Sequence, residues 1–270
     1  MTNNRDIPDS TVEFAKSLVD QARKVSLDGF RKNVEIVQKK DLSPVTEIDR
    51  NVESYVRDMV AKTYPSHGFL GEEFGSLNLD AEELWVVDPI DGTRSFITGW
   101  PIWGTLLAKL YNGFPEIGLI DMPAIRERWV GVCGKSCTFE DNTGTLHQCQ
   151  VSDCETLAQA RFYTTNILYF GAGDRPKIES LLQQTAVPRF GGDCYSYGLL
   201  ASGHVDLVVE AMLEVLGSAL QDGRTLNLQP MGKFIVKHEK KLVNGKVLTT
   251  RIRQARDLPA NDIESETDVE

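Results

Sequence analysis

Two short segments concentrate oxygen-bearing side chains at spacings that suit a hard divalent cation. One is Asp88-Pro89-Ile90-Asp91-Gly92-Thr93, the other Leu70-Gly71-Glu72-Glu73-Phe74-Gly75. Two aspartates three residues apart, held by Pro89 and released by Gly92, can turn both carboxylates toward one point. The Ile90 carbonyl can face the same point. Mg2+ takes oxygens of this kind, a few carboxylates completed by substrate phosphate. Thr93 can hold a water there without competing as a ligand. By spacing alone the same residues also fit a pair of solvated turns capped by Asp, because Asp-Pro and Asp-Gly turns are common.

The surrounding pattern predicts the elements that must position these groups. Val12, Ala15, Leu18, Val19, Ala22 and Val25 recur at helical spacing, so residues 11–30 are predicted to form an amphipathic helix, with Ser10 and Glu13 as its capping box. Residues 34–37 suggest a short strand. Ile48, Val52, Tyr55, Val56, Met59 and Val60 mark a second helix that ends at Tyr64-Pro65. The apolar run Leu84-Trp85-Val86-Val87 reads as a buried strand that stops at Asp88-Pro89 and feeds a loop. Residues 105–111 and 114–120 flank Asn112-Gly113, a strong hairpin signal, and residues 128–132 extend it to a meander. Further on, 177–184 and 195–202 read as helices, the second closed by Gly203, and 205–209 as a strand. Residues 234–236 and 247–252 bracket Asn244-Gly245 as a terminal hairpin. The acidic stretch 257–270 has almost no apolar partners and is expected to be disordered.

Composition narrows the class. The 270 residues are 41% hydrophobic and 25% charged, ordinary for a globular chain. A net charge of −10 repels phosphate backbones and argues against a nucleic-acid partner. It does not exclude a small phosphorylated substrate, because a bound metal reverses the local field. No apolar run is long enough to span a membrane, and the polar start lacks a secretory signal, so a cytoplasmic location is expected. Five dispersed cysteines without a CxxC pair read as reduced thiols. The four histidines lie outside both carboxylate segments and read as surface or structural residues.

Three stretches resemble the inositol monophosphatase family of metal-dependent phosphatases. Trp85-Val86-Val87-Asp88-Pro89-Ile90-Asp91-Gly92-Thr93 is similar to its central motif. Gly71-Glu72-Glu73 is similar to its upstream glutamate motif, and Ser43-Pro44-Val45-Thr46-Glu47-Ile48-Asp49 to its early aspartate segment. The resemblance runs from about residue 10 to about residue 211. Within the family, Gly71-Glu72-Glu73-Phe74-Gly75, Gly99-Trp100-Pro101-Ile102-Trp103-Gly104-Thr105-Leu106 and Gly191-Gly192-Asp193-Cys194-Tyr195-Ser196-Tyr197 look most like the histidinol-phosphate phosphatase branch. So does Met122-Pro123-Ala124-Ile125-Arg126-Glu127-Arg128-Trp129.

The resemblance implies Mg2+ held by Glu72, Asp88, the Ile90 carbonyl and Asp91. It implies a water activated with the help of Glu72 and Thr93, and phosphate bound at the backbone of Gly92 and Thr93. Asp49 would contact a further metal or its water. Asp193 and Glu210 would contact the alcohol portion, where carboxylates suit a cationic substrate. Asp193 could instead cap the helix that follows it, and Glu210 at a strand end could equally be a solvated edge charge. The implied reaction is hydrolysis of histidinol phosphate to histidinol, a step of histidine biosynthesis. Inositol 1-phosphate and other small sugar or nucleoside phosphates are alternatives.

The implied fold is α+β, layered α-β-α-β-α. It has an N-terminal lobe over 1–145, a C-terminal lobe over 146–256, and the possibility of a homodimer. One departure stands out. The family's third metal motif, an aspartate shortly after the position of Glu210, has no counterpart: Gly217 stands at the expected spacing, with Glu214 too early and Asp222 too late. The C-terminal layer is therefore expected to be incomplete, and a catalytically impaired family member stays open beside the active phosphatase.

Overall fold

The computed structural model describes residues 5–38, 44–171 and 173–210, and the backbone of three strands between 226 and 253. It comprises two compact units, residues 1–213 and 214–270. Helix α1 spans Asp9–Gly29. Its stripe of Val12, Ala15, Leu18, Val19 and Ala22 is buried, as the periodicity predicts. The predicted capping box does not form. The helix starts two residues earlier, behind Pro8, whose carbonyl accepts the Thr11 N–H at 2.9 Å, and no side chain caps it. A proline there sets the entry angle and lacks only a donor the first turn would leave unpaired.

Strands β1 (Ile36–Gln38) and β2 (Pro44–Thr46) form a small antiparallel ladder that leads into α2, Glu47–Thr63. Here the capping box is present. Thr46 Oγ1 accepts the backbone N–H groups of Ile48 and Asp49, and the Asp49 carboxylate accepts the Thr46 N–H at 2.8 Å.

The main sheet has eight strands: β3 (Gly68–Gly71), β4 (Ser76–Leu77), β5 (Glu83–Asp91), β6 (Gly104–Tyr111), β7 (Phe114–Met122), β8 (Glu127–Val132), β9 (Thr138–Glu140) and β10 (Leu146–Gln148). Their order is β10-β9-β8-β7-β6-β5-β3-β4, with only β3 and β5 running parallel. Asn112-Gly113, both at positive φ, join β6 to β7 as a two-residue hairpin loop. Helices α1 and α2 pack with this sheet around a core that includes Leu18, Val52, Phe69, Trp85 and Trp103. Buried Asp121 on β7 holds Arg23 of α1 and Arg128 of β8, each at 2.6 Å, locking helix to sheet.

The strand into the central motif does not stop at Asp88. β5 continues through Asp91, and its pairing with β6 slips between Asp88↔Leu106 and Asp91↔Gly104, a bulge. Bulges re-aim side chains without ending a strand, which the sequence pattern reads as a loop. The short helix α3 (Thr93–Ile97) follows at once.

A second, three-stranded parallel sheet has the order β12-β11-β13, from β11 (Arg161–Thr164), β12 (Val187–Phe190) and β13 (Leu207–Val208). Helices α4 (Arg175–Gln184) and α5 (Tyr195–Ala201) accompany it. These elements make the chain α+β, as expected. In the second unit, β14 (Leu226–Leu228), β15 (Gly232–Leu242) and β16 (Gly245–Arg253) form an antiparallel sheet, with β15 and β16 as the predicted hairpin. Glu214, Gly217, Asp222 and the acidic stretch 257–270 lie outside the described residues.

Candidate active site

At the C-terminal end of β5 the charges of Glu72, Asp91 and Asp49 all reach Asp88. Asp88 and Asp91 come from the strand itself, Glu72 from the turn after β3, and Asp49 from the first turn of α2. Parallel pairing of β3 with β5 sets Gly71 beside Val87, so the two motifs emerge side by side. Burial, then the charges of Glu72 and Asp91, push the Asp88 carboxyl well above the usual carboxylate range. Asp91 is pushed up to about 6 by burial and by the charge of Asp193. Asp49, buried, is raised by burial, an effect opposed by its bonds to Thr46 and reinforced by the charge of Glu72. Like charges crowded in a low-dielectric site raise one another in this way.

This crowding is a test of whether a cation belongs here. Asp88 Oδ1 is sealed from solvent and has no hydrogen-bond partner. A buried carboxylate oxygen left unpaired is costly, and a hard cation is the partner it fits. Among the described residues, no three His, Cys, Asp or Glu side chains stand in one ready-made cage. Asp49 is turned to Thr46, and Asp91 Oδ2 accepts the Cys194 N–H at 2.5 Å. A hard, oxygen-seeking cation that keeps several of its waters suits such a set.

The other predicted residues are held around this cluster. Thr93 Oγ1 donates to the Ile90 carbonyl at 3.0 Å, which leaves that oxygen a second lone pair. Gly92 precedes α3 at φ 84°, and a Cβ added to it would lie 2.7 Å from Asp193 Oδ2, so both backbone shape and space demand glycine. Asp193 does not cap α5. Its carboxylate accepts the Ser95 hydroxyl at 2.9 Å, α5 starts behind Cys194 without a side-chain cap, and Asp193 itself sits at φ 44°. Glu210 is at the margin. Its Oε1 accepts the Thr165 N–H and hydroxyl at 2.7 and 2.9 Å, burial raises it, and Asp193 is the site carboxylate whose charge reaches it. His67 accepts the Trp85 indole N–H and His147 pairs with Asp141, structural roles away from the cluster.

Sequence reasoning missed Glu53. It is wholly buried on α2, accepts the backbone N–H groups of Glu73 and Phe74 at 2.6 and 2.9 Å, and pairs with Arg57 at 3.2 Å. It thereby fixes the turn that carries Glu72. Gly71 permits this approach, since a Cβ there would lie 2.0 Å from Glu53 Oε1. The available signal was a carboxylate at i+4 from Asp49, inside the stripe of Val52, Val56 and Val60.

The profile of the inositol monophosphatase family matches residues 8–215. The bifunctional phosphatase IMPL2, chloroplastic, of Arabidopsis thaliana is 40% identical over 208 residues, which is 76% of this chain and 59% of that protein. The chain thus spans less than two thirds of that relative's length. A histidinol-phosphatase of Mycobacterium tuberculosis is 34% identical over 77% of this chain and 81% of its own. The solved structure of an inositol monophosphatase from Zymomonas mobilis superposes with a TM-score of 0.68 at 36% identity, covering 78% of this chain and 79% of that one. On the family match, these identities and the shared fold, the chain belongs to the inositol monophosphatase family.

Proposed function

We propose that this chain is a Mg2+-dependent phosphomonoesterase that hydrolyses histidinol phosphate to histidinol and phosphate. The observation that carries the phosphatase reading is the carboxylate cluster at the end of β5, with one Asp88 oxygen buried and unpartnered. Similarity to a histidinol-phosphatase supports the substrate.

Glu72, Asp88, the Ile90 carbonyl and Asp91 would hold Mg2+. When bound, the ion supplies positive charge against the phosphoryl oxygens and lowers the pKa of water. The chain does the positioning. Glu53 holds the turn of Glu72, so that carboxylate meets the attacking water in one orientation. Thr93, fixed by its bond to the Ile90 carbonyl, offers its oxygen as acceptor to the same water. The backbone N–H groups of Gly92 and Thr93 bind phosphate oxygens. Asp49 adds negative charge from the first turn of α2. Asp193, held by Ser95, and Glu210, held by Thr165, face the alcohol and attract a cationic one.

A second reading, an inositol 1-phosphate phosphatase, is favoured by the likeness to the Zymomonas mobilis protein. The test is phosphate release from both esters, side by side, over a Mg2+ titration. Preference for histidinol phosphate is the expected result, and preference for inositol 1-phosphate would overturn the substrate assignment. The family match ends at residue 215, so absence of Mg2+-dependent release from either ester would identify the impaired member instead.

A further inference from the structure

The β9–β10 hairpin opens and closes on two cysteines that the site above does not use. Its ladder pairs Gln148 with Thr138, and the Cys149 N–H continues it to the Cys137 carbonyl at 2.9 Å. Cys137 and Cys149 therefore stand opposite each other, with their side chains on one face of the ladder. Opposed residues joined by ladder hydrogen bonds have Cα atoms about 5.5 Å apart, inside the span of roughly 4.4–6.8 Å that a disulfide bridges. The two thiols are hydrogen-bond partners. Both side chains pack against the cluster of Met122, Trp129 and Cys194. Both are free thiols and half-buried, so a small reagent can reach them.

The two sulfurs are not equivalent. Burial, then the hydrogen bond to Cys149 and its charge, push the Cys137 thiol up to about 12. Cys137 thus keeps its proton while Cys149 is reduced, and a protonated thiol is a poor nucleophile. Cys149 Sγ also lies 3.8 Å from Ser202 Oγ, the hydroxyl that accepts the Trp129 indole N–H at 2.7 Å. Ser202 directly follows α5, so the pair sits where the hairpin meets the end of that helix.

We propose that Cys137 and Cys149 form a thiol–disulfide site, closed across the base of the hairpin by a low-molecular-weight disulfide such as oxidised glutathione and reopened by thiols. The Cys149 thiolate attacks one sulfur of the oxidant, joins it as a mixed disulfide and expels the other half as a thiolate. Cys149 then no longer accepts the Cys137 proton, so Cys137 loses it, attacks Cys149 Sγ and expels the second thiolate. Each leaving thiolate takes up one proton given by a cysteine. Two cysteine thiols are oxidised and one disulfide is reduced to two thiols. Closure pins the hairpin at its base and leaves Cys149 without a proton to offer Ser202. A disulfide this close to the surface belongs to the readily reduced class.

The test follows the sulfurs directly. The folded wild type is incubated with oxidised glutathione, its remaining thiols are alkylated, and the chain is cut after Lys135, Glu140 and Asp153. Those cuts leave Cys137 and Cys149 on separate pieces, apart from Cys133 and Cys154. Mass spectrometry should find the two pieces joined, about 2 Da below the sum of their thiol forms, the two hydrogens a disulfide gives up. Dithiothreitol should separate them. Cys137→Ser lacks the second attacking thiol and should trap glutathione on Cys149. Cys149→Ser lacks the first and should leave Cys137 reduced. Backbone amide exchange over residues 138–148 should be slower in the joined form than in the reduced one. Glutathione left on both cysteines of the wild type, a link through Cys133 or Cys154 instead, or no reaction at either sulfur would overturn the proposal. Neither the wild-type mapping nor the amide exchange requires a variant to fold, and no readout depends on phosphate release.

Discussion

Glu53→Gln tests how the Glu72 turn is held. Glu53 Oε1 takes the Phe74 N–H and Arg57, and Oε2 takes the Glu73 N–H. Glutamine can replace only one oxygen. Its amide nitrogen would then face another donor at the Glu73 position, 2.6 Å away in the parent bond. Hydrogen bonds to a charged group contribute roughly 1.5–3 kcal/mol and neutral ones about 1 kcal/mol. One charged bond is lost and two are weakened, for a cost of about 4 kcal/mol, in the range for breaking a buried ion pair. That is a large share of an ordinary stability margin of roughly 5–15 kcal/mol. In urea unfolding followed by tryptophan fluorescence, the midpoint should fall with the slope unchanged. Because the turn carries Glu72, the Mg2+ concentration for half-maximal phosphate release should rise as well. An unchanged midpoint would refute the energetic reasoning. A lowered midpoint with an unchanged Mg2+ requirement would refute the positioning role.

Three further outcomes are expected. Gly92→Ala forces a left-handed conformation on alanine, a cost of roughly 1–2 kcal/mol, and drives a methyl against Asp193. Urea unfolding should show that loss, and phosphate release should drop more steeply than stability; parent-like activity would remove Asp193 from the site. Asp88→Asn relieves a buried charge among like charges, so Tm in EDTA should rise while the Mg2+-induced increase disappears. A lower Tm in EDTA would count against the crowding described above. Asp206 is held well below the usual carboxylate range, first by its hydrogen bonds to Arg161. A depressed carboxyl contributes stability above its unfolded pKa, about 3.9, and loses it as pH falls through the folded value. The stability gap between wild type and Asp206→Asn should therefore be constant near neutrality and narrow progressively below about pH 4. A gap independent of pH down to acid would show that the Asp206 charge does not act in the folded protein.

What the sequence determined by itself was local. Helical periodicity placed the buried stripe of α1, and Asn112-Gly113 placed the β6–β7 hairpin, because both signals arise between residues close along the chain. The motifs around Glu72, Asp88 and Asp91 offered candidate metal ligands for the same reason: short spacing is readable without a fold. Tertiary structure decided the rest. The bulge in β5 exists only against the register of β6, so the pattern alone ended the strand at Asp88. Asp193 was as plausible a cap for α5 as a site residue until Ser95, 98 positions away, took its carboxylate. Glu53 reads as an ordinary helix glutamate until Gly71 brings a turn onto it from 18 residues downstream. Its partners are backbone N–H groups, which every residue carries and no sequence pattern marks.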